Sequence, residues 1–245
     1  MVPLVEMRQI IKTFGPVVAL RGVDFVVNAG EVVGLVGDNG AGKSTLMKIL
    51  TGVYHPDGGE VWFAGRRVRF TSPLDSRHVG IEMVYQDLAL AENLSSVANI
   101  FLGREFTRTV AGVRLVNDGQ MEHLAREHLD GLQIRLPSLS MPVERLSGGQ
   151  RQAVAIARAT AFQAKLVIMD EPVASLAVAE AAKVLLLIKR LREQGVAVVL
   201  ISHRLQDVFE VSDRIVVLNR GTKVGDLRRQ EATMGDVVGL IVGKA

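Results

Sequence analysis

The 245-residue chain has no cysteine, one tryptophan and two tyrosines. Without cysteine there is no disulfide and no thiolate metal site, a composition that fits a reducing compartment. Aromatic residues make up only 4% of the chain, and no basic stripe is interleaved with them, so a nucleic-acid surface is not expected. No uninterrupted apolar run is long enough to span a bilayer, and the chain is expected to be soluble. The N-terminus lacks a basic stretch followed by an apolar segment, so no secretion signal is read there. Net charge is only +3, and basic pairs such as Arg66-Arg67 and Arg228-Arg229 read as solvated faces. What the chain does have is apolar residues, 48% of the total, which excludes a disordered chain. Its length suits one domain, or one domain with insertions. No internal repeat or low-complexity segment is visible.

The first feature with chemical content is Gly37-Asp38-Asn39-Gly40-Ala41-Gly42-Lys43-Ser44, which fits G-x-x-x-x-G-K-[ST]. In such a loop, glycines let backbone N–H groups curl around phosphates. Lys43 then reaches the β- and γ-phosphates, and the Ser44 hydroxyl ligates Mg²⁺. The flanks agree. Glu31–Val36 reads as a buried strand entering the loop. Ser44–Leu50, beginning Ser44-Thr45, reads as a helix leaving it, with its positive end toward the phosphates.

Short β-like runs around Leu4–Ile11, Val23–Val27 and Glu60–Ala64 suggest an antiparallel layer beside this strand. From about Leu94 to Glu144 the pattern is helical, with Met121, Leu124, Ala125 and Leu129 on one face; Pro137 and Pro142 interrupt it. Beyond Leu146 helices and apolar strands alternate: a helix over Gln150–Ala161, a strand at Leu166–Asp170, a helix over Val178–Gln194, and strands at Val196–Ser202 and Ile215–Leu218. That alternation predicts an α/β fold whose parallel sheet is covered on both faces.

The strand Leu166–Asp170 ends in Asp170-Glu171. With the phosphate loop present, Asp170 is placed to hold Mg²⁺ and Glu171 to polarise an attacking water as general base. His203 follows the strand Val196–Ser202, at the sheet end where α/β proteins hold ligands, and is read as a γ-phosphate contact. His55, His78, His123 and His128 read as structural, because none sits in a carboxylate cluster at metal-ligand spacing. Gln86, after another apolar run, is a candidate Mg²⁺ and water ligand. Phe14 is either a core residue or an aromatic platform for an adenine base.

The pentapeptide Leu146-Ser147-Gly148-Gly149-Gln150 arises by chance in about three chains in ten thousand of this length. With the other motifs in the order Phe14, phosphate loop, Gln86, pentapeptide, Asp170-Glu171 and His203, the whole chain resembles the ATP-binding cassette (ABC) ATPases. The resemblance implies a P-loop NTPase core with an antiparallel β subdomain and a helical subdomain. The division expected is residues 1–93 for the β subdomain and first part of the core, 94–145 for the helical subdomain, and 146–245 for the rest. It also implies ATP and Mg²⁺ as cofactors, and a head-to-tail homodimer in which Ser147, Gly148, Gly149 and Gln150 of one copy complete the ATP site of the other. The glycines at that point open a helix whose N-terminus attracts anions.

Finer wording, in Gly40–Tyr54, Val84–Leu90, Ala98–Glu105 and Ile201–Arg204, is similar to the cassettes of bacterial monosaccharide importers, in particular the single-cassette, fructose-type branch. For such a protein the partners are integral membrane permease subunits and, indirectly, a periplasmic sugar-binding protein, and the location is the cytoplasmic face of the inner membrane. Two positions depart from the family's usual pattern. Val173 stands where a threonine is usual, and Ala177 where most cassettes carry an aspartate that couples the two sites. Import of another substrate, a soluble cassette acting on DNA or ribosomes, and a regulator without turnover are the competing readings; Glu171 and His203 count against the last.

Overall fold

The structure, a computed structural model, describes residues 2–110 and 112–243. Val5–Phe14 (β1) and Val17–Val27 (β2) form a hairpin around Gly15-Pro16, with Phe14 paired to Val17. Val32–Val36 (β3) is buried along its whole length. It feeds the phosphate loop, from which Lys43–Leu50 (α1) emerges. Gly58–Phe63 (β4) and Arg66–Val68 (β5) return to the hairpin and complete a four-stranded antiparallel sheet in the order β2-β1-β4-β5. Pro73–His78 (α2) leads into Ile81–Val84 (β6).

A short helix, Ser96–Phe101 (α3), follows, capped by the Ser95 hydroxyl, which accepts from the Ala98 N–H at 3.1 Å. Thr107–Val110 (β7) and Val113–Val116 (β8) then pair as a separate hairpin. This corrects the reading of Leu94–Glu144 as a helical stretch interrupted only at Pro137 and Pro142. Asp118–Gly131 (α4) is the amphipathic helix expected, and it buries Met121, Ala125 and Leu129.

Gly148–Thr160 (α5), Leu166–Asp170 (β9), Val178–Glu193 (α6) and Ala197–Ile201 (β10) lie within a residue or two of their predicted bounds. Leu205–Val211 (α7), Arg214–Asn219 (β11), Thr222–Arg228 (β12) and Met234–Val242 (α8) close the chain. The central sheet has the order β12-β11-β3-β10-β9-β6, parallel except for the antiparallel edge strand β12.

The pleat of this sheet divides the core in two, because successive strand residues point to opposite faces. Leu166 and Ile168 of β9, with Val199 and Ile201 of β10, join α1 and the antiparallel sheet in one cluster. Val167 and Met169, with Val198 and Leu200, join α4, α5 and α6 in the other. Helix α1 therefore lies between two sheets, and its Leu46, Met47 and Leu50 are fully buried. Burying three such side chains is worth about 5–9 kcal/mol, which fixes the loop at its N-terminus in place. No helix among the described residues is long and apolar enough to cross a membrane.

Candidate nucleotide site

The phosphate loop is shaped by close backbone approach. Gly37 and Gly42 both have left-handed φ, 146° and 104°. A side chain at Gly37 would run into the Leu218 carbonyl of β11, and one at Gly42 into Ala19 and Leu20 of β2. The glycines are needed as much to pack the loop against its neighbours as to wrap a phosphate. Gly42 caps α1, with no side-chain cap and no acid in the first turn. The first amides of α1 are thus left for an anion. Asp38, Asn39 and Gly40 are exposed at the rim, Ala41 is buried, and Thr45 is half-buried behind Ser44. The Lys43 ammonium donates to the carbonyls of Gly37 at 2.6 Å and Asp38 at 2.9 Å, so it lies across the mouth of the loop. Burial pushes its pKa below the usual lysine value, against the pull of Glu171, Asp170 and Asp38.

Strands β9 and β10 bring the other groups to the same end of the sheet, since both run parallel to β3 or its neighbour. Burial and the adjacent Glu171 push the Asp170 carboxyl above its usual pKa, while Lys43, Lys48 and the Ser44 hydroxyl pull it down. Ser44 and Asp170 thus face one another, and a carboxylate held where its charge is penalised is a place that a cation relieves. Among the described residues no cluster of three or more His, Cys, Asp or Glu could hold a metal unaided. The donor set fits Mg²⁺, which binds through one or two protein groups together with water and phosphate oxygens.

Glu171 has φ 50°, unusual for a residue with a side chain, and costs about 1–3 kcal/mol. The turn tips its carboxylate off the strand, while its N–H stays bonded to the Ile201 carbonyl at 2.9 Å. Oε1 accepts the His203 backbone N–H at 3.0 Å. Oε2 lies 2.8 Å from His203 Nδ1. That contact is a hydrogen bond only when Nδ1 carries a proton; otherwise Oε2 is a buried acceptor without a partner. His203 itself is two-thirds exposed, with a side-chain accessibility of 66%. The structure brings Lys43, Ser44, Asp170, Glu171 and His203 to one end of the central sheet.

Gln86 is exposed and lines a cleft of about 300 Å³ with Glu171, Gly148 and Gln152. The loop beyond it is held by Arg158 of α5, which donates to the Leu88 and Ala89 carbonyls. No motif marked Arg158, because the partners lie 70 and 69 residues away in sequence. Phe14 is not a core residue. It is 42% exposed and meets Tyr54 edge-to-face at 5.2 Å, with Lys12 Nζ 5.4 Å from its ring centre. Asp57 pins the adjoining backbone by accepting from Lys12 Nζ at 2.8 Å and from the Thr13 N–H at 2.6 Å.

Ser147 and Gln150 form a reciprocal cap on α5. The Gln150 N–H donates to Ser147 Oγ at 3.3 Å, and the Ser147 N–H donates to Gln150 Oε1 at 2.9 Å. The pentapeptide therefore encodes a helix start as well as any ligand contact, and Gln150 serves it through its side chain. Ser147, Gly149 and Gln150 line a separate cleft of about 360 Å³ with Glu180 and Arg190, and the phosphate loop is not among its walls. The Glu180 side chain lies so close to Gly149 that a Cβ there would sit 3.0 Å from it. Of the two departures, Val173 is fully buried in the apolar cluster around α5 and α6. Ala177 is the N-cap of α6 and supplies no side-chain cap. His128 proves structural, with Nε2 2.9 Å from Thr160 Oγ1.

Comparison with known proteins agrees with this geometry. The sequence profile described as ABC transporter matches residues 20–174. The chain is 49% identical to the xylose/arabinose import ATP-binding protein XylG of Sulfolobus acidocaldarius, over 96% of this chain and 92% of that protein. Its fold superposes on an ATP-binding cassette of an ABC transporter in its ADP conformation, with a TM-score of 0.83, 28% identity, and coverage of 99% of this chain and 100% of that one. A dimeric cassette in a post-hydrolysis state, bound to ADP and Pi, matches with a TM-score of 0.74 and 26% identity, over 92% of this chain and 98% of that one. The matched profile spans more than half of the chain, and the protein belongs to the ABC transporter family as an ATP-binding cassette with a P-loop NTPase core.

Proposed function

We propose that the protein is the ATP-hydrolysing subunit of a sugar importer, working as a head-to-tail homodimer beneath an integral membrane permease on the cytoplasmic face of the membrane. The observation that carries the ATPase reading is the pairing of Glu171, tipped off its strand by a left-handed turn, with His203, beside Lys43, Ser44 and Asp170. The xylose/arabinose import relative supports the transport reading, with a monosaccharide as the cargo class. A periplasmic binding protein that delivers the sugar belongs to the same proposal.

In this reading the amides of α1 and the Lys43 ammonium hold the β- and γ-phosphates of ATP, and Phe14 covers the adenine. Lys43 gives up its two carbonyl partners for phosphate oxygens, an exchange of neutral for charge-assisted hydrogen bonds. Ser44 and Asp170, with Gln86 as a further candidate ligand, would hold Mg²⁺, which would supply positive charge against the phosphate oxygens. Glu171 Oε2 takes the proton of the attacking water. The His203 backbone N–H holds the carboxylate by its other oxygen, and the imidazole faces the γ-phosphate. Ser147 and Gly149, opening on a different cleft, reach the ATP of a second copy. The three-part division at residues 93 and 145 is retained as the proposed organisation.

The test of transport is uptake. In a strain lacking this subunit, the wild-type chain should restore ATP-dependent accumulation of one labelled pentose or hexose, and Lys43→Ala should not. Restoration of no monosaccharide from a panel, with the permease present, rules out the sugar assignment.

A further inference from the structure

Leu88 and Ala89, two and three residues beyond Gln86, both have left-handed backbone, with φ of 58° and 46°. Neither is glycine, and residues with a side chain seldom adopt this conformation twice in succession. Something must hold them there. Arg158, in the last turn of α5, donates from Nη2 to the Leu88 carbonyl and from Nη1 to the Ala89 carbonyl, each at 2.6 Å. The guanidinium presents its donors in a rigid planar fork, so it fits two adjacent carbonyls only while both point to the same side. The acceptors are neutral, so Arg158 finds no counter-charge in this grip. Burial and the nearby Arg77 both disfavour its ionised form, while Glu82 and Asp87 nearby favour it.

The same helix meets the loop again two turns earlier. Arg151 comes to 4.0 Å from Glu92. Gln152, only 4% exposed, has an amide nitrogen without a partner in the cleft that Gln86 and Glu171 also line. The loop therefore runs beside α5, from Arg158 in the last turn of the helix back to Arg151 near its start.

We propose that Arg158 is a positioning residue: its two-pronged grip on the Leu88 and Ala89 carbonyls holds the loop in a strained turn and thereby sets Gln86 against the catalytic carboxylates. The proposal rests on the reading of Gln86 as part of the nucleotide site. The grip itself can be tested without that reading.

The experiment uses the full chain and two variants. Arg158→Lys keeps the charge but loses the fork, and Arg158→Lys/Ala89→Gly also removes the strain at Ala89. Hydrogen exchange without nucleotide is expected to speed up about tenfold or more at amides 86–91 in Arg158→Lys, with β9 and β10 unchanged. ATP turnover is expected to fall about tenfold in kcat with little change in KM. Adding Ala89→Gly should return about fivefold of it, because the loop then reaches its turn without the clamp. Unchanged exchange at 86–91 overturns the proposal. So does faster exchange spread evenly over β9 and β10 without rescue, which marks Arg158 as a folding residue. Faster local exchange with normal kcat overturns the positioning of Gln86 while leaving the grip. Separately, a Gln86→Ala variant with normal turnover would sink the assignment of Gln86 and not the grip.

Discussion

Replacing Glu171 with Gln removes the proposed base and leaves almost everything else in place. The amide oxygen can still accept the His203 N–H that Oε1 accepts at 3.0 Å. The new NH₂ group can donate to His203 Nδ1, the atom now 2.8 Å from Oε2. Gln keeps the left-handed turn at no greater cost than Glu, since both have the same unbranched stem. The fold should therefore survive, with melting within about 2–4 °C of wild type, the shift expected of a change of about 1 kcal/mol at a largely buried side chain whose hydrogen bonds are kept.

What disappears is a proton acceptor in the cleft, and positioned general bases contribute about 10²–10⁴-fold. Turnover should fall by a hundredfold or more. Binding should move the other way. The Glu171 charge raises the Asp170 pKa and faces the site that receives a polyanion, so its removal should leave ATP affinity equal or tighter. The assays are phosphate release at saturating ATP, titration with a fluorescent ATP analogue, and size exclusion with ATP present, where a loaded dimer should accumulate. Turnover within a few-fold of wild type would refute the assignment of Glu171. A hundredfold loss of turnover together with equal loss of ATP binding would show that the carboxylate binds nucleotide and is not the base.

Three further outcomes follow from particular residues. A Lys43→Ala subunit mixed with a Ser147→Arg subunit, each inactive alone, should regain part of the activity, since one site of the mixed dimer pairs an intact phosphate loop with an intact α5 end; no recovery on mixing at any concentration would mean that Ser147 does not serve a second copy. Ala177→Asp places a capping acceptor at an N-cap that lacks one, and should stabilise the chain by about 0.5–2 kcal/mol, raising the melting temperature by about 2–4 °C per kcal/mol; an unchanged melting temperature refutes it. Asp57, held at a pKa of about 2 against an ordinary 3.8 by Lys12 and Thr13, adds stability that is fully present above about pH 4 and is lost as pH falls through about 2. The melting difference between wild type and Asp57→Asn should therefore shrink to nothing over that window, and a difference independent of pH would exclude the carboxylate as its source.

Much of the site could be read from the sequence because its chemistry is carried by contiguous residues. Gly37–Ser44 needs only its own spacing and flanking patterns to declare a phosphate loop. Leu166–Asp170 shows a buried strand by composition alone, and the structure gives it the same bounds. Helix α5 was legible too, although its start was read two residues late, at Gln150, where the structure begins it at Gly148 behind the Ser147–Gln150 capping box. Local rules fix these elements, and packing does not override them.

Other features existed only once the chain had folded. The hairpin Thr107–Val116 escaped notice because every residue described in its two strands is exposed, so no inward-outward alternation marks it. Its neighbours α3 and α4 impose a helical pattern on both sides. Phe14 could not be assigned to core or surface until Tyr54, arriving on the far side of α1, took its edge and left the ring half open. The contact of His203 with Glu171 joins the ends of two strands that are adjacent only because β9 and β10 pair in parallel. Arg158 was silent in sequence because its partners are backbone carbonyls, which every residue possesses. Only the left-handed turn at Leu88 and Ala89, and the placement of α5 against it, gave those two carbonyls a common direction and that arginine something to hold.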